Sequence, residues 1–199
     1  MRGSRLIENE RDRSSSLPAA YSVRAVLACG AVGVLAGILA GHVRLGLGLP
    51  GHKALVWMTP VVFARLVFGS PAGGTTGAVT AGFTTMALGS RFAGAAAHLP
   101  MAGLAGAIID LAVGFGERRR LGRAWGVVLV GGAGLAANLV MLGKRLMAPL
   151  GHSHALLGAG DLPVRLISYA AFGLAAGLAA ALLALAAAGA RRRRANRGG

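Results

Sequence analysis

Apolar residues run almost unbroken through most of this chain, and polar residues collect at the ends of the runs. Six runs can be marked off: Ser22 to Gly41, Lys53 to Gly69, Ala72 to Ser90, Phe92 to Gly116, Arg123 to Gly143 and Pro163 to Ala190. A helix needs about 20 predominantly apolar residues to cross a bilayer. The pattern therefore predicts an all-α, polytopic membrane helix bundle with about six transmembrane helices. The second and third runs are the weakest spans, the second because it is short and holds Pro60 and Arg65, the third because Gly and Thr dilute it. Residues 1–20 are charged and serine-rich and read as a disordered cytoplasmic tail. Residues 21–190 form the transmembrane domain, and residues 191–199 a basic cytoplasmic tail.

Charge sets the orientation. Lys and Arg total 21 against 6 acidic residues, a net charge of +15 in a chain of 199 residues that is 55% hydrophobic. A soluble nucleic-acid binder would spread that charge between core stretches, whereas here it gathers at span ends. With both termini in the cytoplasm, fourteen basic residues lie inside: Arg2, Arg5, Arg11, Arg13, Arg24, Arg118, Arg119, Arg120, Arg123, Arg191 to Arg194 and Arg197. Six lie outside: Arg44, Lys53, Arg91, Lys144, Arg145 and Arg165. This bias predicts an inside–inside, multi-pass protein of the cell (inner or plasma) membrane with an even number of spans. Its partners are then the lipid bilayer and other membrane components, not nucleic acid.

Catalytic signatures are sparse. The single cysteine, Cys29, rules out an intramolecular disulfide and any Cys-based metal cluster. The sequence has no Walker-type phosphate loop, no Gly-x-Ser-x-Gly and no His-Glu-x-x-His. The expectation is a protein that is not an enzyme and carries no cofactor.

Polar groups inside the spans are expensive and mark sites of interest. Asp110 and Arg65 fall at similar depth in the inner half of the bilayer, where a pair between them would neutralise both. The alternative makes Asp110 a proton relay in a carrier or intramembrane enzyme. All five histidines fall on the outer side: His42 and His52 bound the first outer loop, His98 lies near the outer end of the fourth run, and His152 and His154 sit in the long last loop. Imidazole is a common ligand for borderline metals, so a transition metal is one candidate substrate. An organic ligand held by His42, His52, Trp57, His98, Asn138 and Tyr169 is the other. The outer loops, His42 to His52 and Lys144 to Leu162, are candidate lids.

Small residues recur every four positions in the first run: Ala25, Cys29, Gly33, Gly37 and Gly41. Such a ridge lets a second helix approach closely. The third run carries two similar ridges, Gly73-Gly77-Ala81 and Gly74-Ala78-Gly82. These ridges pack either within the bundle or against another membrane protein, and the second option allows a scaffold or assembly role.

With this ridge, its Gly- and Ala-rich six-span pattern and its apolar first outer loop, the chain resembles the substrate-binding (S) components of energy-coupling factor transporters. The resemblance covers about residues 20–190. It implies a membrane-embedded subunit that captures a small solute such as a vitamin, its precursor or a metal ion. It also implies a membrane coupling protein docked on the first-helix ridge, a pair of ATPases supplying energy, and residues 42–52 helping to close over the ligand. The family's first-helix signature is Ala-xxx-Ala, where this ridge is mostly Gly. Its cobalt and nickel members carry an outer N-terminal Met-His, where this chain has Met1-Arg2 on a tail read as inner.

Overall fold

The computed structural model describes residues 23–43, 49–89, 95–146 and 161–197. They form six helices: α1 (Val23–His42), α2 (Ala54–Phe68), α3 (Gly73–Leu88), α4 (Ala95–Arg118), α5 (Arg123–Leu146) and α6 (Asp161–Arg197). No strand occurs among the described residues. The helices follow one another round the bundle in the order α1, α3, α4, α5, α6 and α2, and α2 closes the ring against α1 while also touching α3. One core joins Met58 and Val62 of α2 to Ala105 and Ile109 of α4, Ala137 of α5 and Ala176 of α6. A smaller one joins Ala36, Val61, Ala78 and Ala81 across α1, α2 and α3.

Four helices, α1, α4, α5 and α6, contain stretches long and apolar enough to cross a membrane. Large apolar side chains cover their outer surfaces, with Leu27 66% and Ile167 69% exposed. In water such a surface would aggregate, whereas in lipid it needs no further cover. This is the surface of a membrane protein. At 15 and 16 residues, α2 and α3 measure about 22–24 Å, short of the ~30 Å hydrocarbon core.

α3 is an improbable helix by composition, since Gly and Thr are both weak helix formers. Its context compensates. The hydroxyls of Thr80, Thr84 and Thr85 donate to the carbonyls of Thr76, Thr80 and Ala81, each four residues back. Thr80 also lies 3.1 Å from the Gly30 carbonyl of α1. Its glycines admit neighbours on both sides. A Cβ on Gly33 of α1 would stand 2.3 Å from the Gly77 carbonyl, and one on Gly106 of α4 would stand 2.6 Å from the Gly74 carbonyl. The two ridges of α3 thus serve two partners, α1 on one side and α4 on the other.

The same contacts settle where the α1 ridge points in this structure. Cys29, Gly33 and Gly37 are buried, and the two glycines press on α3, while Ala25 is half-buried and Gly41 exposed. The expected docking face for a coupling subunit is therefore occupied inside the bundle over its central turns. α6 does not stop at Ala190 but continues through Arg191–Arg194 to Arg197. Ala and Arg are strong helix formers, and cations suit a helix C-terminus.

Candidate functional site

Two polar constellations stand at opposite ends of α2. The first surrounds Arg65, near its C-terminus, where Gly69 in the left-handed region (φ 67°) ends the helix. The Arg65 side chain is 1% exposed. Its Nε donates to Asp110 Oδ1 at 3.0 Å, and its terminal nitrogens reach the Glu117 carboxylate at 3.3 and 3.4 Å. Asp110 Oδ1 also accepts from the Gly74 backbone N–H, and Oδ2 accepts from both the N–H and the hydroxyl of Thr75, all at 2.8 Å. Asp110 therefore caps α3 from another helix, where a carboxylate suits the helix dipole. Its two oxygens are taken up by four donors. Glu117 is the member that the sequence reading missed. It stands at a polar span end, where a charge draws no notice.

The second constellation lies at the other end of α2, on the order of 18 Å away along the axis. Two small cavities adjoin there. One, of about 140 Å³, is lined by His52, Lys53, Trp57, Asn138, Met141 and Tyr169 among others. The other, of about 90 Å³, is lined by Lys53, Trp57, Thr85, His98 and Met141 among others. Lys53, Trp57 and Met141 face both. Five of the six sequence-selected contact residues, His52, Trp57, His98, Asn138 and Tyr169, thus meet at one end of the bundle, brought there by α2, α4, α5 and α6. His42 does not join them: its ring nitrogen bonds the Ile38 carbonyl of its own helix at 2.9 Å.

The individual side chains are held firmly. Asn138, 2% exposed, donates from Nδ2 to the Tyr169 carbonyl at 2.7 Å, tying α5 to α6. His52 Nδ1 pairs with the Leu49 carbonyl, and its ring meets Phe172 edge-on at 6.4 Å. In the sequence Lys53 stands out only as an orientation charge. Here its Nζ reaches the Ala40 carbonyl at 3.4 Å, at the C-terminal end of α1, and the residue lines both cavities. No carboxylate lines either cavity among the described residues.

Gly51 closes this end. Its φ is +85°, and a Cβ there would stand 3.0 Å from the Tyr169 ring. Gly51→Ala is expected to destabilise the protein by about 1–2 kcal/mol through the left-handed backbone alone. It should also push Tyr169 off its wall of the cavity. Thermal unfolding in detergent, alongside Gly69→Ala as a left-handed position with nothing within 4 Å, separates the backbone effect from the contact.

Among the described residues no group of three His, Cys, Asp or Glu side chains could hold a metal ion. His152 and His154, residues 44–48 of the first candidate lid and residues 147–160 of the second lie outside the described residues. A third cavity, of about 390 Å³, lies at the Arg65 end between α2, α4, α5 and α6.

Set beside known proteins, the chain matches no family model, no curated protein sequence and no solved structure.

Proposed function

We propose that this protein is a non-enzymatic membrane subunit that captures a small solute at the Lys53–Trp57 end of its bundle, in the manner of an energy-coupling factor S component. What carries the reading is the pair of adjoining cavities that share Lys53, Trp57 and Met141 and collect His52, His98, Asn138 and Tyr169. Ligand sites are concave, mostly apolar and furnished with a few convergent polar groups, and this end has that make-up. One cation, two imidazoles and no described carboxylate favour a neutral or anionic solute over a cation. A metal ion has less support, because the described histidines assemble no ligand trio.

In this reading six helices span the membrane, both termini are cytoplasmic and the capture site faces out. The short α2 and α3 cross the bilayer sheltered between longer neighbours. Reporter fusions after residues 51, 120 and 197 test the orientation: the last two should report the cytoplasm and the first the outside.

A coupling protein and an ATPase pair complete the system. With the centre of the α1 ridge packed on α3, this part of the proposal rests on the resemblance. Purification of the tagged protein from its native host is the test. Co-purification of a membrane coupling protein with two ATPase subunits is the expected result, and a protein recovered alone with no retained solute would count against it. Solute retained through purification and measured by mass spectrometry should fall by roughly tenfold in Lys53→Gln, the size expected for losing one charged hydrogen bond. Unchanged retention would remove Lys53 from the site.

A further inference from the structure

The cavity at the Arg65 end borders the ion-pair network through Glu117 and lies away from the proposed solute site, and its construction is unusual. α4 ends there in a Schellman turn: the Leu121 N–H donates to the Gly116 carbonyl at 3.1 Å and the Arg120 N–H to the Glu117 carbonyl at 3.2 Å. The residue after such a helix end takes the left-handed conformation and is usually Gly. Here it is Arg120, at φ 49°, the one described residue other than glycine with positive φ. In a chain with 33 glycines, an arginine holds the position that glycine fits best. A strained residue is retained where its side chain has work to do, and Arg120 lines the cavity.

Arg123, the first residue of α5, lines it too. No carboxylate lies within ion-pair distance of either arginine among the described residues. Glu117 lines the cavity as well, with its carboxylate 3.3 and 3.4 Å from the Arg65 guanidinium. Arg119 is turned elsewhere, with its guanidinium 5.6 Å from the Phe115 ring centre. The remaining lining is apolar, including Leu66, Val113, Val130 and Leu185. Two unpaired guanidinium groups over an apolar cleft match an anion that carries a hydrocarbon tail.

We propose that this cleft holds one anionic phospholipid, its phosphate on Arg120 and Arg123 and its acyl chain along Leu66, Val113 and Val130. Guanidinium groups suit phosphate oxygens, and basic pockets between spanning helices suit anionic headgroups. The proposal needs only that the bundle lie in a membrane, and it is independent of the solute-capture reading.

The test is native mass spectrometry of the full-length protein released from detergent and titrated with palmitoyl-oleoyl phosphatidylglycerol or the matching phosphatidylcholine. The first phosphatidylglycerol should bind on the order of tenfold more tightly than phosphatidylcholine, in keeping with two arginines at the headgroup. Arg120→Gly with Arg123→Gln should abolish that preference, whereas Arg192→Gln with Arg193→Gln, on the exposed end of α6, should keep it. Arg120→Gly relieves the left-handed strain, so it should unfold no earlier than the parent without added lipid, which separates lost binding from lost folding. Equal binding of the two lipids would overturn the proposal, as would a preference that survives the cavity variant or disappears equally in the α6 variant. Displacement of phosphatidylglycerol by excess inorganic phosphate would identify a site for free phosphate and overturn the lipid assignment.

Discussion

Replacing Asp110 by asparagine is expected to destabilise the bundle by about 3–5 kcal/mol, the loss typical when one partner of a buried ion pair is removed. Arg65 is almost fully buried, and its guanidinium would lose its closest anion. Glu117 could not substitute: it is more than half exposed and lies 3.3 Å away, where solvent screens the attraction. The carboxamide offers one acceptor oxygen where the carboxylate offers two, and its NH₂ would face either the amide of Thr75 or Arg65, donor against donor. Pairing the change with Arg65→Met removes the stranded charge and should recover part of the loss. Recovery stays partial because the Gly74 and Thr75 amides still lack their acceptor. Unfolding in detergent of the parent, both single variants and the double variant gives the cycle. An Asp110→Asn variant within about 1 kcal/mol of the parent, less than any estimate for a broken buried pair, would refute the structural role. It would also return Asp110 to consideration as a proton carrier.

That network shows where the sequence was readable. Charges are rare in apolar runs, so Arg65 and Asp110 stood out and their similar depth suggested the partnership. The capping of α3 by Asp110 was hidden, because it depends on how near the Gly74 and Thr75 amides come in space. The small-residue ridges announced close helix approach but not the identity of the partner. Gly33 and Gly37 would look the same facing α3 or facing another protein. Lys53 carried two meanings at once, and the orientation rule absorbed it before its place beside Trp57 could be seen. Charge marks the arginine run after Ala190 as a tail, and its helical conformation follows from the propensity of Ala and Arg. Trp57, Asn138 and Tyr169 could be selected because polar and aromatic groups in apolar spans are few. Their meeting with His52 and His98 required the ring order of the helices, which no local pattern encodes.

The second large effect is expected at the α5–α6 contact, where backbones rather than side chains meet. A Cβ on Gly134 would stand 2.4 Å from the Gly173 carbonyl oxygen and 3.0 Å from the Gly177 Cα. One on Gly173 would stand 2.5 Å from the Gly134 carbonyl oxygen and 2.9 Å from the Leu135 Cα. Main-chain atoms cannot swing aside as a side-chain tip can, so the helices themselves must separate. In lipid no hydrophobic force draws them back, and the loss falls directly on van der Waals packing. Gly134→Ala or Gly173→Ala should therefore cost at least about 1–3 kcal/mol, the range for overpacking a tight core. Separation would also strain the Asn138 bond to the Tyr169 carbonyl one turn away, loosening the wall of the solute cavity. The double variant should lose less than the sum of the two, because the first separation makes room for the second methyl. Gly132→Ala supplies the reference: it is exposed on the same helix with nothing within 4 Å of the added Cβ. There alanine's better helix propensity should leave stability unchanged or raise it by up to about 1 kcal/mol. Thermal unfolding of the three single variants and the double variant in one detergent decides the matter. If Gly134→Ala behaves like Gly132→Ala, α5 and α6 do not meet at this register, and the cavity that depends on their contact loses its frame.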